Sequence, residues 1–345
     1  MPKTKKRKPL EKKPPTNMFL GGGLDFLVLG GIIAIIYHTL YTLIMVEASP
    51  GDVSHTLILQ VLQAVGMLLL FLGVVVLSYS SLVNHGDLKR DGGAFLVSGG
   101  ALCIPAAVAS TYYYVTAIEG QTMTLESFLT QTMPTLLNDF SKVYILMGVL
   151  FLGIFFWERR RQRTWAAACF SAGAVTWSGS LVVAFYNTYD LYQTFMEMYS
   201  TSRDLIISQF LIPEVLSNTS QVLVVIGLLL LAISYLQKRN LQRWAGRFWT
   251  FGGAFGVFHG FVRLSLDSKM IQNEMTGVRQ SIMELTPYTT TFKDISLVIE
   301  TMKEFYAKVM IPTYLEEFMM IAVFSAITAI GVYLWTKRYQ KRDTG

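Results

Sequence analysis

The sequence predicts an all-α integral membrane protein with eight transmembrane helices, arranged as four tandem two-helix repeats, with amphipathic helices outside the membrane. Three observations predict this class. Only 15% of the 345 residues are charged, whereas a soluble domain carries about a quarter. Uncharged apolar runs long enough to cross a bilayer recur along the chain. The runs also come in pairs that share sequence features at matching positions.

The second helix of each pair is the most regular feature. Three such helices begin with a proline, continue with a polar first turn and an apolar run, and end in a basic cluster: Pro134–Arg159, Pro213–Arg239 and Pro312–Arg338. A small residue lies 19 residues beyond each proline, at Gly153, Ala232 and Gly331. A weaker copy begins at Ser54 and has Gly73 at that offset. This recurrence predicts one helix design used four times.

The first helices of the pairs share a phenylalanine followed by small residues, at Phe26–Gly31, Phe95–Gly100, Phe170–Gly173 and Phe248–Gly253. The phenylalanines are 69, 75 and 78 residues apart. We therefore divide the chain into a basic tail (1–17), four repeats (18–93, 94–164, 165–247 and 248–336) and a second basic tail (337–345). The eight predicted spans are 18–46, 56–83, 94–118, 136–157, 165–186, 215–236, 248–265 and 313–336. The first tail, with seven Lys or Arg and almost nothing apolar, is predicted to be disordered.

Charge predicts how the chain is oriented. The two tails and the loops 84–93, 158–164 and 237–247 hold 21 of the 29 Lys and Arg, against six acidic residues on the same face, which gives +15. The opposite face sums to −9. By the positive-inside rule both termini lie in the cytoplasm of a cell-membrane protein. The overall charge of +6 therefore reflects topology, and no nucleic-acid partner is predicted.

The segments on the acidic face grow along the chain, and the fourth is the longest. Residues 266–311, approximately, have apolar residues at helical spacing in two arms, with a break at Thr286-Pro287-Tyr288. We predict an external helical hairpin here. It would form a cap, lie on the outer leaflet or dock a partner.

Polar residues recur where the second helices emerge on the acidic face. If the repeats close into a ring, these residues form an acidic outer mouth, which is one way in which a pore enriches cations. The alternative is that acids near helix N-termini simply complement the helix dipole and meet water. The candidate mouth residues are Asn138, Asp139, Glu214, Asn218, Glu316 and Glu317.

Two histidines, His38 and His259, lie within predicted spans of the first and fourth repeats. On facing helices they would ligate a b-type haem, whereas the alternative is a pair of buried histidines that hydrogen-bond across helix interfaces. We predict no cofactor on balance, and no metal site. Cys103 and Cys169 lie in apolar runs without metal-ligand spacing, which predicts two free thiols.

Paired and spaced glycines predict close helix packing, since a missing side chain lets two backbones approach. Internal bundle packing is the expected use, with a dimer interface as the alternative. The predicted packing residues are Gly30, Gly31, Gly99, Gly100, Gly252, Gly256 and Gly260.

Two classes of function are consistent with these sequence features. One is a passive, channel-like conduit entered through the acidic mouth, and the other is a non-catalytic scaffold or accessory subunit that holds membrane-protein partners or a second copy. The sequence lacks P-loop, HExxH, GxSxG and CxxC motifs, which disfavours an enzyme. No carboxylate or lysine lies in the middle of a span, which disfavours a proton- or sodium-coupled pump.

Overall fold

The structure is a computed structural model, and it describes residues 18–48, 55–83, 86–118, 124–158, 162–198, 206–237, 240–285, 300, 303 and 305–336. Eight long helices account for nearly all of them. They are α1 (Met18–Ala48), α2 (His55–Val83), α3 (Gly86–Ile118), α4 (Met133–Glu158), α5 (Arg163–Met198), α6 (Ile212–Leu236), α7 (Gln242–Leu285) and α8 (Ile311–Thr336). The predictions for both tails and most of the hairpin's second arm fall outside the described residues.

The eight helices form a closed ring. Consecutive helices pack against one another along their length, and α1 packs against α8. Neighbours are antiparallel: for example, Gly23 lies against Ile330 near one end of the α1–α8 interface, and Tyr37 meets Glu316 near the other. We call the end where α1, α3, α5 and α7 begin the basic end, and the opposite end the acidic end.

Adjacent small residues in the first half of α1, α3, α5 and α7 make the closest approaches between helices. The first residue of each pair faces the preceding helix of the ring: Gly30 contacts α8, Gly99 contacts α2, Gly173 contacts α4 and Gly252 contacts α6. The next residue faces the following helix: Gly31 contacts α2, Gly100 contacts α4, Gly253 contacts α8, and Ala174 is fully buried in a cluster with Val225 of α6. The same pair of contacts, one with the preceding helix and one with the following helix, therefore occurs at four places in the ring. Where the ring closes, α8 has the position relative to α1 that α2 has relative to α3.

The predicted glycines of α7 divide between its two neighbours. Gly252 lies against Leu223 and Val224 of α6, whereas Gly256 and Gly260 lie against Phe324 and Ile321 of α8. The side chains buried most completely in the described chain are small or medium-sized, with Val225 the largest. Large apolar residues instead lie exposed on all eight helices. Soluble proteins bury their large apolar side chains, whereas this chain buries small residues and exposes large apolar ones. Helices that pack through small residues in lipid show this arrangement.

Seven of the eight helices are long and apolar enough to cross a membrane. The exception among the described helices is α7, whose predicted span contains His259, Arg263 and several glycines that lower its mean hydropathy. The chain is therefore a multi-pass helical protein with membrane-spanning character. The prediction of exactly eight spans goes beyond this finding.

Two helices extend well past the predicted ends of their spans. Helix α5 continues to Met198 instead of ending near residue 186, and α7 continues to Leu285 instead of ending near 265. The predicted first arm of the hairpin is thus the second half of α7, because no helix-breaking residue interrupts it. Leu285 directly precedes the Thr286-Pro287 pair, at which the sequence predicts the break.

A π-helical turn precedes each of the proline-led helices α4, α6 and α8. The turns are Phe128–Thr132, Ile207–Leu211 and Tyr306–Met310, and the proline is the second residue of the helix that follows. Proline has no N–H and its ring displaces the carbonyl four residues earlier, so a wider turn relieves the clash. Ahead of Pro134 that carbonyl belongs to Thr130, and it accepts a hydrogen bond from Asn187 Nδ2 of α5 at 2.9 Å.

The contact between α1 and α8 that closes the ring can be tested by disulfide cross-linking. A Cβ at Gly30 would lie 3.3 Å from the Cβ of Ala322, close to the separation in a disulfide. We expect Gly30→Cys with Ala322→Cys, in a chain without Cys103 and Cys169, to form an intramolecular disulfide under mild oxidation.

The measurement is a gel-mobility shift that reductant reverses. The matched control is Gly22→Cys with Ala322→Cys, because a Cβ at Gly22 has no neighbour within 4 Å. Equal cross-linking of the two pairs would contradict the observed contact between α1 and α8.

Candidate functional site at the acidic end

Three of the ring's helices bring charged and hydroxyl side chains together at the acidic end. These are α1, α7 and α8, which meet because Gly253, Gly256 and Gly260 let α7 approach α8 closely. Beyond the last of these glycines, the same face of α7 presents Arg263 and Asp267. We call Tyr37, Arg263, Asp267, Glu316 and Glu317 the acidic-end cluster.

Glu317 is at the centre of the cluster. Its side chain lies between α7 and α8, and only 8% of the residue's surface is exposed. Arg263 Nε is 3.8 Å from Glu317 Oε1, and the arginine side chain is 45% exposed. The arginine therefore neutralises a buried acid while its own outer edge remains open to the surroundings.

Asp267 is the second buried acid of the cluster, with 7% of its surface exposed. It lies beside Glu317, one turn beyond Arg263 on α7. The two acids and Arg263 thus form a compact group of two carboxyl groups and one cation.

Glu316 lies on a different side of α8, and it is exposed. The Tyr37 hydroxyl of α1 donates to Glu316 Oε2 across 3.4 Å, at the seam where the ring closes. Neighbouring acids in the sequence therefore have different environments: Glu317 is sealed against α7, and Glu316 keeps an accessible charge. Only the accessible one is available to an ion that approaches the acidic end.

Further hydroxyl contacts connect α8 and its preceding turn to the extended part of α7. The Tyr314 hydroxyl donates to Ser268 Oγ at 3.2 Å, and the Tyr306 hydroxyl donates to Met275 Sδ at 3.6 Å. Both contacts lie further along α7 than Asp267. They hold the start of α8 against a part of α7 that is predicted from the sequence to belong to an external hairpin.

The other candidate mouth residues lie on α4 and α6. Asp139 pairs with Lys142 on its own helix at 3.1 Å, and the Asn138 carbonyl accepts a hydrogen bond from Ser141. Asn218 is buried and donates from Nδ2 to Thr188 Oγ1 of α5 at 3.2 Å. Glu214, in the first turn of α6, is exposed. Among the described residues, Asp139 and Asn138 make contacts within α4, and Asn218 bonds to the neighbouring α5. These contacts do not include Glu316 or Glu317.

A polar cavity of about 480 Å³ lies at the same end, between α5 and the turn before α4. Asp190 and Tyr186 line it from α5, with Gln131 and Ser127 opposite. It is open, and its position follows from the extension of α5 past residue 186.

The two candidate haem ligands are on helices that α8 separates in the ring. His38 stacks on Phe71 of α2, with ring centroids 5.4 Å apart, and its edge meets Tyr37. His259 is on α7, one turn before Arg263. His38 thus has an aromatic neighbour on the side of the ring away from α7.

Asp267 and Tyr37 were not predicted from the sequence as partners of the mouth residues. A signal for Asp267 was present: Gly253, Gly256, Gly260, Arg263 and Asp267 follow steps of three and four, and the buried Ile271 continues them. This stripe predicts an uninterrupted helix with its polar residues on the face that meets α8. Tyr37 had no such signal, because only the closure of the ring brings α1 to α8.

Compared with known protein families, curated proteins and solved structures, the chain matches none.

Proposed function

We propose that the chain is a passive, channel-like conduit for small cations, made of eight spans in four pseudo-repeated units around a central axis. The observation that carries this proposal is the contact between α1 and α8, since a closed ring of helices surrounds an axis running between the basic and acidic ends. The matching contacts of the small-residue pairs support the four units. By the positive-inside rule, the acidic end faces outward.

The eighth span is α7, despite its lower mean hydropathy. Phe251, Phe255 and Phe258 form an exposed stripe on it, whereas Gly252, Gly253 and Gly256 are buried against α6 and α8. The mean hydropathy of α7 includes these buried glycines as if they faced the surroundings. The face that would meet lipid is strongly apolar, as a span requires.

At the acidic end Glu316 supplies the accessible negative charge. A carboxylate about 6 Å from a passing monovalent cation is worth about 0.7 kcal/mol in water, which enriches the cation about threefold. Glu214 adds a second exposed acid on α6. Glu317 and Asp267 instead fix α7 to α8 and shape the rim.

The conduit is tested by potassium efflux from proteoliposomes at low ionic strength. We expect flux above that of empty vesicles, and Glu316→Gln to reduce it about threefold, with the difference shrinking as salt screens the charge. Glu197→Gln is the matched control, because Glu197 is an exposed acid near the acidic end of α5 and outside the proposed mouth.

Absence of flux from the wild-type protein would rule out the conduit. A Glu197→Gln effect equal to that of Glu316→Gln would instead remove the mouth assignment and leave a general surface-charge effect.

The scaffold is the second candidate, and the length of α7 favours it. At 1.5 Å per residue its 44 residues reach about 66 Å, roughly twice the 30 Å hydrocarbon thickness of a bilayer. Much of α7 therefore stands outside the membrane at the acidic end, where a partner would reach it. Purification in mild detergent followed by mass spectrometry separates the candidates, since a scaffold retains a stoichiometric partner and a self-sufficient conduit does not.

A further inference from the structure

A second cavity, of about 390 Å³, lies toward the basic end of the ring and has a different character. It is bounded by α4, α5 and α6, and Trp249 of α7 completes the lining. Its volume is that of a small-molecule site. None of its lining residues belongs to the acidic-end cluster.

The cavity exists because α5 presents small side chains between two helices with large ones. Ala166 and Ala167 line it from α5, and both are buried. Phe155 and Phe156 line it from α4, and Leu231 and Tyr235 from α6. The alanines leave a slot between these larger groups, and its lining on α5 runs from Arg163 to Phe170, about two helical turns or 10 Å.

One charged side chain lines this slot. The Arg163 guanidinium lies over the Phe155 ring of α4 and over the Tyr235 ring of α6, 5.2 Å and 5.1 Å from their centroids. It therefore spans the basic end of the slot from one wall to the other. In the described part of the chain its recorded contacts are with these two rings, so the fork of N–H donors is open to an anion.

The remaining lining offers little to a polar ligand. Trp249 has an N–H, but Nε1 already donates to the Val224 carbonyl of α6 at 3.0 Å. Gly227 makes room for the indole ring against α6. A molecule that fills the slot is thus apolar along its length and anionic at the end that reaches Arg163.

We propose that this slot binds one acyl chain of an anionic phospholipid, with the phosphate on Arg163. Arginine binds phosphate through paired charge-assisted hydrogen bonds, and basic groups between membrane helices favour anionic headgroups. Arg159, Arg160 and Arg161 directly precede this part of the chain in sequence and raise the local positive charge. The predicted cytoplasmic orientation places the site in the leaflet that carries anionic lipid.

Trp249 supplies a reporter for the test. Dibrominated acyl chains quench indole fluorescence on contact, and subtracting the signal of Trp249→Phe isolates the contribution of this residue among the six tryptophans. The full-length protein is titrated in detergent micelles with dibrominated phosphatidylglycerol or with phosphatidylcholine carrying the same chains. We expect half-maximal quenching of Trp249 at a phosphatidylglycerol fraction roughly tenfold lower, the effect of one charge-assisted contact.

Two variants and one control make the result specific. Arg163→Gln should remove the preference for phosphatidylglycerol while leaving quenching by both lipids at high fraction. Ala167→Phe should fill the slot and remove quenching by either lipid; if this variant does not fold, the Arg163→Gln comparison still decides. Arg243→Gln is the control, since Arg243 is an exposed arginine of α7 at the same end that does not line the cavity.

An unchanged preference in Arg163→Gln would overturn the headgroup assignment. A Trp249 signal that neither lipid quenches in the wild-type protein would overturn the site. A preference lost equally in Arg243→Gln would reduce the effect to the general positive charge of the basic end, which also contradicts the proposal.

Discussion

Replacing Gly331 with alanine is expected to destabilise the protein by about 1–3 kcal/mol, the cost of overpacking a closely packed interface. The added Cβ would lie 2.5 Å from the Thr250 nitrogen and 2.9 Å from the Gly246 carbonyl oxygen. Both atoms are backbone atoms of α7, so no side-chain rotation relieves the clash and the two helices must separate. The measurement is the melting temperature of purified protein in detergent.

Two other alanine substitutions complete a graded series. A Cβ at Gly100 would lie 3.1 Å from Leu150 Cβ, a milder overlap that a shift of a few tenths of an ångström relieves, so Gly100→Ala should cost less than Gly331→Ala. A Cβ at Gly22 has no neighbour within 4 Å, and Gly22→Ala should be neutral or raise stability by up to about 1 kcal/mol through helix propensity. A flat series would show that α7 and α8 are not in backbone contact.

Removing Arg263 is expected to cost more than removing the acid it contacts. In Arg263→Gln the buried Glu317 and Asp267 lose their neighbouring cation, and we expect a loss of about 1–3 kcal/mol, below the value for a fully buried pair because Arg263 is partly exposed. In Glu317→Gln one acid is replaced by a neutral amide, which can donate a hydrogen bond to Asp267. Its stability should stay near that of the wild type.

The double variant tests whether the larger loss in Arg263→Gln comes from leaving Glu317 without its cation. Arg263→Gln with Glu317→Gln should be more stable than Arg263→Gln alone, because the second change removes the uncompensated acid. Lys142→Gln is the control, because it breaks a surface ion pair with Asp139 on the same helix, where Lys142 is 57% exposed. Such a pair is worth about 0–1 kcal/mol, so this variant should lose little stability. The measurement is the melting temperature of the four variants compared with the wild type. An equal loss of stability in Arg263→Gln and Glu317→Gln would mean that the cluster acts only as a simple ion pair.

The helical class and most helix positions were predictable from the sequence. Spanning helices need long apolar runs because backbone polar groups must be satisfied within the segment, and this leaves a signal in any single sequence. The predicted starts and ends of α1, α2, α4, α6 and α8 lie within three residues of those observed. Helices α3 and α7 begin eight and six residues before their predicted spans, and α5 and α7 continue 12 and 20 residues past theirs. A helix can continue beyond its apolar run, and hydropathy then no longer marks its end.

The small residues marked where helices approach closely, but their partners depend on the tertiary structure. A glycine such as Gly30 indicates a close contact without naming the helix that makes it, and its contact with α8 joins residues nearly 300 positions apart. The same limit applies to the acids. Adjacent residues Glu316 and Glu317 look alike in sequence, yet one remains exposed and the other is buried against Arg263 and Asp267.

What the sequence determined by itself is therefore local: which segments are helical, which faces are small, and which end of the bundle is basic. Periodicity and charge asymmetry carry that information, since each arises within one helix or one loop. The tertiary structure alone decided that α8 returns to α1, that Tyr37 meets Glu316, and that alanines of α5 leave a slot beside Arg163. These features depend on the distance between separate helices, which is set by how all eight pack together.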